Sequence, residues 1–484
     1  MSRRIVLVGY GMVGARFAEE VRRRDPDGSR VRLTVFGAEQ HRAYNRVLLS
    51  GVLGGGLRPE QLHLHEPDWA AEHQVTLRTG TAVTAIDRAA RRVRLADGTT
   101  EPYDELVLAT GSRAWVPPTD GLLAEDGALA EGVATFRDMD DCVRILRLTG
   151  AGGRVAVLGG GLLGLEAARG LVGRGARVTV LHPVEHLMER QLDSGAGGVL
   201  AAAMRGLGVD VRLGVLAKRW TPGEGLETDD GAVLPVDAVV VAAGVRANSE
   251  LAAEAGIVVS GGVTVDDRMA SSDDLVHAIG DCASHANTVS GLVQPGFEQA
   301  RVLADLLTGA DPAARYTGSP LVTRLKARDI DLTSVGDALT EESAEFEVLR
   351  LEDARRGRYA KIVLRDDRLV GAIMLGLPDA GASVVQLFDS GAPAPEDRLA
   401  LLLGRARPGE PQGELGSPAL LPSATVICRC NSVDKGRLVA AWRSGATDVA
   451  ALSRATRAGT GCGGCRQAVS GICDWLSASA GGAA

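Results

Sequence analysis

The sequence lacks any long hydrophobic run and any cluster of basic residues. No apolar stretch approaches the roughly 18 residues that span a bilayer, and the chain passes from Met1 into a strand-like segment at Ile5–Val8 without a signal-peptide core. The 61 acidic residues outnumber the 53 basic ones, for a net charge of −8. These absences predict a cytoplasmic protein whose partners are proteins or small molecules rather than nucleic acid or an anionic membrane.

Cysteine is scarce and unevenly placed. The 484 residues contain seven cysteines, too few and too clustered for a disulfide framework. Four lie close together near the end of the sequence as Cys428-x-Cys430 and Cys462-x-x-Cys465. Four thiolates at this spacing can close a structural zinc site or hold an iron–sulfur cluster, and the spacing alone leaves both open.

Two segments share the pattern of a buried strand, a glycine-rich turn, a helix and a second strand. They are Ile5–Phe36, with the turn Gly9-x-Gly11-x-x-Gly14, and Arg154–Leu181, with Gly159-x-Gly161-x-x-Gly164. In such a turn the glycines allow a tight bend, close approach of the backbone to a pyrophosphate, and packing of helix on strand. The pair predicts two dinucleotide-binding units.

The residue that binds the ribose is expected just after the second strand of each unit. In the first unit this is Glu39, although its spacing is slightly long for that role. In the second unit the place is taken by His182. Without an acidic residue there, nothing in the sequence repels a 2′-phosphate, and NADH and NADPH both stay open as ligands.

The remaining chain divides by composition. Polar–apolar strands between residues 317 and 403 predict a third, α+β domain. Residues 404–422 are rich in Pro and Gly and are interpreted as a linker, followed by a cysteine-containing module at 423–476. Beyond Trp475 the Ser/Ala/Gly tail is expected to be frayed.

Residues 1 to about 310 resemble the pyridine-nucleotide flavoprotein oxidoreductases, which share both glycine turns and the segments Asp104–Ser112 and Ala278–Cys282. The resemblance implies an FAD-binding domain at 1–118 and 245–312 interrupted by an NAD(P)H-binding domain at 119–244. Tyr44–Ser50 is similar to an FAD-contacting segment of the nitrite- and rubredoxin-reductase branch. The implied cofactor-binding residues are Gly9, Gly11, Met12, Gly14, Glu39, Arg46, Thr110, Gly111, Gly159, Gly161, Gly164, Glu166, His182, Gly280 and Asp281.

The cysteine-containing module resembles the [2Fe–2S] domain of bacterioferritin-associated ferredoxins. The similar stretches are Val426–Asn431 and Thr460–Cys465, with predicted helices at Asp434–Trp442 and Asp448–Ala455 between them. This likeness favours iron over zinc and makes Cys428, Cys430, Cys462 and Cys465 the implied cluster ligands. The implied fold is α/β, with two Rossmann-like domains, an α+β domain and a small, mainly helical [2Fe–2S] domain.

Two features exclude disulfide chemistry from the site. Residues 40–60 contain no cysteine, whereas the disulfide reductases of this superfamily carry a reactive pair there. The isolated Cys142, Cys282 and Cys473 are interpreted as small buried residues rather than nucleophiles. No catalytic side chain is predicted, because nicotinamide, flavin and cluster would carry the chemistry themselves.

Over nearly its whole length the chain resembles the front part of assimilatory nitrite reductase large subunits and the electron-transfer subunits of assimilatory nitrate reductases. The resemblance implies an NAD(P)H-dependent oxidoreductase with FAD and [2Fe–2S], and a homodimer is possible. No cysteine set for a further cofactor follows the module, so we expect electrons to pass to a separate nitrate or nitrite reductase. The alternatives are an amine, opine or proline dehydrogenase subunit, a rubredoxin or ferredoxin reductase, and a non-catalytic redox module.

Overall fold

The structure is a computed structural model that describes residues 2–150, 152–325, 327–403, 418–461 and 463–481. One predicted cluster ligand, Cys462, lies outside the described residues. So does most of the predicted linker, of which only 418–422 are described.

The first unit is built on a five-stranded parallel sheet. Its central strand, Arg3–Val8, buries its last four residues and leads into the helix Met12–Arg24, called here the first nucleotide helix. The strand Val276–Ala278 joins the edge of this sheet late in the sequence, so the chain returns to it after leaving. In spatial order the strands are Val276–Ala278, Glu105–Leu108, Arg3–Val8, Val31–Phe36 and Val75–Arg78.

The second unit repeats this plan. Its central strand, Arg154–Leu158, leads into the helix Leu162–Gly173, the second nucleotide helix. Its strands are parallel, and the inner strands Arg154–Leu158 and Ala238–Val241 read as apolar runs because both faces of the sheet are covered there. In spatial order they are Val209–Leu213, Arg177–His182, Arg154–Leu158, Ala238–Val241 and Val133–Thr135. The two predicted strand–helix–strand segments are therefore confirmed.

The third unit is an antiparallel sheet with the helix Pro378–Ser390 packed against it. Its strands in order are Val322–Leu325, Leu332–Gly336, Arg368–Leu375, Arg358–Arg365 and Glu347–Asp353. The smaller sheets contain the strands Val83–Asp87, Arg92–Leu95, Thr100–Pro102, Ser112–Ala114, Ala217–Thr221, Gly225–Thr228, Val233–Leu234, Val245–Ala247, Val263–Val265, Ala283–His285, Val426–Cys428 and Val433–Asp434. The predicted α/β class is confirmed, whereas the domain limits stay predictions.

The cysteine-containing module, residues 423–476 and called here the cluster module, is mainly helical. Asp434 and Asp448 accept backbone N–H groups at the starts of Lys435–Arg443 and Val449–Thr456, close to the predicted helices. Its last helix, Arg466–Gly481, continues past Trp475 into the segment where a frayed tail was expected, and residues 482–484 lie outside the described residues. The helix buries one apolar stripe, made by Val469, Ile472, Cys473 and Leu476, of which only Leu476 lies beyond Trp475.

The other helices connect the sheets and cover them. None of the helices in the described part of the chain is long and apolar enough to cross a membrane. They are Leu49–Leu53, Trp69–Glu72, Met139–Leu148, Ser194–Gly206, Glu250–Glu254, Val293–Thr308 and Arg398–Leu402, with short 3₁₀ turns at Arg46–Leu48, Pro59–Leu62, Gly280–Cys282, Ala354–Arg356 and Pro418–Leu420.

Candidate functional site

A cavity of about 820 Å³, the first cavity, opens at the carboxyl edge of the first sheet. Residues that follow four of its strands line it, namely Gly9, Gly37, Ala109 and Ile279. This edge is where parallel α/β sheets bind their ligands. Of the predicted FAD-binding residues, the cavity is lined by Gly9, Gly11, Met12, Glu39, Arg46, Thr110, Gly111, Gly280 and Asp281.

The turn at the start of the first nucleotide helix is shaped for close approach. A Cβ atom on Gly9 would lie 2.1 Å from the carbonyl oxygen of Ala109, and one on Gly14 would lie 2.0 Å from that of Gly9. On Gly11 a Cβ would meet only the Arg46 side chain, at 3.8 Å. Gly9 and Gly14 therefore let helix and strands touch, while Gly11 keeps the space before the helix N-terminus open for an anion.

Glu39 lies in the loop after the strand Val31–Phe36. Its carboxylate accepts a hydrogen bond of 2.9 Å from the Tyr44 hydroxyl and pairs with the Arg46 guanidinium. Arg46 also stacks over the Tyr44 ring, 5.0 Å from its centroid. Glu39 and Arg46, predicted separately, thus meet in one cluster at the first cavity.

Asp281 is fixed by two neighbours in the first cavity. Its carboxylate accepts hydrogen bonds from the Ser112 hydroxyl at 2.9 Å and from Arg137 at 2.6 Å. Nearby, the Thr110 hydroxyl donates to the Asn248 carbonyl, and the Asn248 amide donates back to the Thr110 carbonyl. These bonds hold the two crossing segments between the first and second sheets side by side.

A second cavity of about 850 Å³ opens at the carboxyl edge of the second sheet. Its glycine turn repeats the first one. A Cβ on Gly164 would lie 1.9 Å from the Gly159 carbonyl oxygen, whereas one on Gly161 would meet no atom within 4 Å. The second unit therefore offers the same open helix N-terminus to a second dinucleotide.

His182 ends the strand Arg177–His182 and lines the second cavity. Its Nδ1 atom accepts the backbone N–H of Gly160 at 3.2 Å, so Nε2 carries the proton and donates to Glu189, 3.0 Å away. Glu189 lines the same cavity. Sequence reasoning missed it, because it lies seven residues beyond the strand end. Glu166, predicted to contact a cofactor, is buried within the second nucleotide helix.

The two cavities adjoin. Four residues line both of them: Ala114, Arg137, Gly291 and Leu292. Arg137 is the one cation of this set and is bonded to Asp281. Nothing in its sequence context predicted it, since it lies outside every motif.

Three of the four predicted cluster ligands are described, and all are buried: Cys428, Cys430 and Cys465. The sulfur atoms of Cys428 and Cys430 are 3.7 Å apart, and the Asn431 amide lies 3.6 Å from each of them. Hydrogen bonds from the Cys430 and Cys465 thiols lower the pKa of Cys428 well below its usual range, which favours the thiolate that binds iron.

These thiols fit a cluster in chemistry but do not complete a site. No three His, Cys, Asp or Glu side chains converge as a metal site within the described ranges, so the four-cysteine set stays a prediction. The other cysteines are buried, as predicted: Cys142, Cys282 and Cys473. Burial raises the pKa of the Cys142 thiol to about 12, which makes it a poor nucleophile.

Two adjoining dinucleotide cavities and a buried cysteine cluster define a two-nucleotide flavoprotein with a redox module. The chain belongs to the pyridine nucleotide-disulphide oxidoreductase family, whose model matches residues 3–302. Residues 322–384 match the rubredoxin NAD⁺ reductase C-terminal domain, and residues 426–475 match the BFD-like [2Fe–2S] binding domain. It is an FAD-dependent NAD(P)H oxidoreductase that also carries a [2Fe–2S] cluster.

The chain is 36% identical over 475 residues to nitrite reductase [NAD(P)H] of Bacillus subtilis, covering 97% of this chain and 57% of that protein. It is 34% identical over 482 residues to the assimilatory nitrate reductase electron transfer subunit of the same organism, covering 99% and 60%. It thus spans less than two thirds of the length of either. Among solved structures, a covalent putidaredoxin reductase–putidaredoxin complex aligns with a TM-score of 0.72 and 27% identity, over 81% of this chain and 94% of that one.

Proposed function

We propose that this chain passes electrons from NADH or NADPH, through FAD and the [2Fe–2S] cluster, to a separate assimilatory nitrate or nitrite reductase. One observation carries the proposal: the two nucleotide cavities share a wall, and the cluster module packs on the first of them. Met12, which lines the first cavity, belongs to the same apolar cluster as Cys428, Cys430 and Cys465. Relatives named for nitrite reduction and for electron transfer to nitrate reductase support the acceptor.

The proposed roles of the residues follow from their places. Gly11 and Gly161 leave room for the pyrophosphates at the two helix N-termini. Arg46 lies across the first turn, where its guanidinium would balance the pyrophosphate charge. Asp281, held by Ser112, faces the first cavity as an acceptor for flavin hydroxyl groups.

When bound, FAD accepts a hydride from the nicotinamide and gives up electrons singly, which matches a cluster that carries one electron at a time. The chain's own task is placement. The wall made by Ala114, Arg137, Gly291 and Leu292 sets where the two rings meet. Burial of the three described cysteines keeps water from the cluster side of that route.

The proposal is tested with protein purified anaerobically. NADH or NADPH should bleach the flavin absorbance, reduce the cluster, and support nitrate or nitrite reduction when the corresponding reductase is added. Bleaching without delivery to either reductase would overturn the proposed acceptor. Bleaching of the flavin by amine, opine or proline substrates, and not by NADH or NADPH, would instead favour a dehydrogenase subunit that acts on those substrates.

A second acceptor class has support of its own. Residues 322–384 match a domain named for rubredoxin NAD⁺ reductase, so rubredoxin and ferredoxin belong in the same assay. Faster turnover with either than with nitrate or nitrite reductase would favour that class. A cytoplasmic location and a homodimer stay predictions, and size-exclusion chromatography with light scattering tests the second.

A further inference from the structure

Asn45 lies between two residues of the first cavity but turns its side chain away from it. Tyr44 and Arg46 line the cavity. The Asn45 side chain, with its residue only 2% exposed, instead reaches the cluster module. Its Nδ2 atom donates to the carbonyl oxygen of Thr460, at 2.7 Å, and to that of Gly461.

The same amide also fixes its own segment. The Oδ1 atom of Asn45 accepts the backbone N–H of Val47 at 3.1 Å and begins the 3₁₀ turn Arg46–Leu48. The backbone N–H of Asn45 bonds to the Leu62 carbonyl at 2.8 Å. One buried side chain therefore uses both its donors on the cluster module and its acceptor on the segment that carries Arg46, so every polar atom is satisfied.

The two carbonyls that Asn45 holds lie beside the predicted cluster. Gly461 packs against Cys430 so closely that a Cβ on it would lie 2.4 Å from the sulfur. The next residue in sequence is Cys462, a predicted ligand. The loop that Asn45 holds thus lines the Cys430 sulfur and directly precedes the predicted ligand Cys462 in sequence.

Other contacts orient the whole module, and they come from the first nucleotide helix. Arg16 donates to the Asn431 side chain at 3.1 Å, and Glu19 pairs with Arg457 at 2.5 Å. Arg16 thus reaches the cluster module beside Cys430, because the Asn431 amide lies 3.6 Å from the sulfurs of Cys428 and Cys430. Asn45 instead bonds to the Thr460–Gly461 loop and is adjacent in sequence to two cavity residues. It is a direct covalent and hydrogen-bonded link between the two cofactor sites.

We infer that Asn45 is a positioning residue for electron transfer, setting the spacing between the flavin and the cluster by tying the Thr460–Gly461 loop to the Tyr44–Arg46 segment. No bond forms or breaks at Asn45. When bound, FAD would supply two-electron chemistry toward the nicotinamide and one-electron chemistry toward the cluster, and Asn45 would act only on the distance between them. The role depends on the electron route proposed above.

Two substitutions separate positioning from simple destabilisation. Asn45→Asp keeps the size and the Oδ1 cap of Val47 but places an acceptor against two carbonyls, which removes both bonds to the loop. Asn45→Ala removes the cap as well and avoids burying a charge, so it serves if the first variant does not fold. Ser444→Ala is the matched control, because Ser444 also donates to a backbone carbonyl of the cluster module, that of Ala440 at 3.0 Å, but lies exposed and outside the cysteine-containing segments.

Stopped-flow mixing with NADH under anaerobic conditions follows flavin bleaching and cluster reduction separately. In Asn45→Asp we expect bleaching to stay within about twofold of the wild type and cluster reduction to slow by about tenfold or more, because small misplacements of reacting centres are costly. Ser444→Ala should leave both rates near those of the wild type.

Hydrogen–deuterium exchange of the oxidised protein, with no substrate added, gives a readout independent of turnover. Amides of residues 457–461 should exchange faster in both Asn45 variants than in Ser444→Ala. Equal slowing of bleaching and cluster reduction, an unchanged rate of cluster reduction, or unchanged exchange in this loop would each overturn the inference. Failure to drive nitrate or nitrite reductase would leave these rates intact and overturn only the proposed acceptor.

Discussion

The Nε2 atom of His182 lies 3.0 Å from a carboxylate oxygen of Glu189, and this pair stands where a dinucleotide unit commonly places its ribose-binding acid. The sequence suggested that no carboxylate opposed a 2′-phosphate in the second unit. The structure adds a carboxylate at this place, because the strand-end histidine bonds to Glu189 from further along the chain and both line the second cavity.

We therefore predict that Glu189→Gln improves NADP⁺ binding relative to NAD⁺. Removing a negative charge near the 2′-phosphate is worth on the order of 1 kcal/mol in a wet site, or about fivefold in Kd. Isothermal titration of both nucleotides measures the ratio. Glu185→Gln, an exposed change in the same loop, is the control and should leave it unaltered. An unchanged ratio in Glu189→Gln would show that the acid does not select the nucleotide.

Alanine at Gly161 and alanine at Gly164 of the second turn should have different effects. Gly164→Ala pushes a Cβ to 1.9 Å from the Gly159 carbonyl, and overpacking of this kind lowers the free energy of unfolding by about 1–3 kcal/mol. In Gly161→Ala the new Cβ would meet no atom within 4 Å, and the φ of −84° at this position is open to any residue, so the free energy of unfolding should stay near that of the wild type. Its methyl group instead fills pyrophosphate space and should raise the NADH Kd by about tenfold, or ~1.4 kcal/mol.

Thermal melts and nucleotide titrations of the two glycine variants check this division. If Gly161→Ala melts as early as Gly164→Ala, or binds NADH as well as the wild type, the second turn does not hold the pyrophosphate in the way described.

Replacing a cluster cysteine should remove iron without removing flavin. Cys430→Ser and Cys465→Ser each delete a buried thiol of the cluster module, so we expect loss of bound iron and of the visible cluster absorbance while FAD stays bound. Cys142→Ser is the matched control, because that thiol lies outside the cluster module, buried beside Leu49. Burial raises its pKa to about 12. Full iron content in either cluster variant would contradict the ligand assignment, and zinc in the wild type would contradict the cluster.

Asp104 forms a bidentate pair with Arg4, joining the two central strands of the first sheet. The hydrogen bond from the Arg4 side chain, helped by the Arg4 backbone N–H, lowers the pKa of Asp104 from 3.8 to about 2. A depressed carboxyl pKa contributes stability above its unfolded value, and that contribution fades as the pH falls through its folded value.

The stabilisation by Asp104 should therefore be present at pH 7 and disappear between pH 3.8 and about 2. Asp104→Asn should lower the Tm modestly at pH 7, because solvent screens this half-exposed pair, and its curve should converge with that of the wild type toward pH 2. Asp274→Asn, an exposed change elsewhere, is the control. A difference in Tm that persists unchanged at low pH would mean that the ion pair is not its source.

Much of the fold could be read from local pattern. The alternation of apolar runs, glycine turns and helical segments located the strands Arg3–Val8 and Arg154–Leu158 and the helices that follow them, because each is specified within about 30 neighbouring residues. The same holds for the helices capped by Asp434 and Asp448, whose side chains accept the first free N–H groups.

The sites were predicted unevenly for the same reason. Glycines at fixed spacing and paired cysteines are local signals, whereas Arg137 and Glu189 carry none and enter their cavities only through the packing of distant segments. The helical turns beyond Trp475 were not predicted because their Ser/Ala/Gly composition is a weak local signal; of these residues Leu476 is buried against the cluster module.

By itself the sequence determined the number and kind of cofactor sites, since nucleotide turns and cysteine pairs are encoded in short stretches of chain. Only the tertiary structure decided how the sites are related. The shared wall at Arg137, the His182–Glu189 pair and the bonds from Asn45 to the cluster loop join residues up to several hundred positions apart. Such contacts form because burying apolar surface brings these segments together, and each buried polar group must then find a partner.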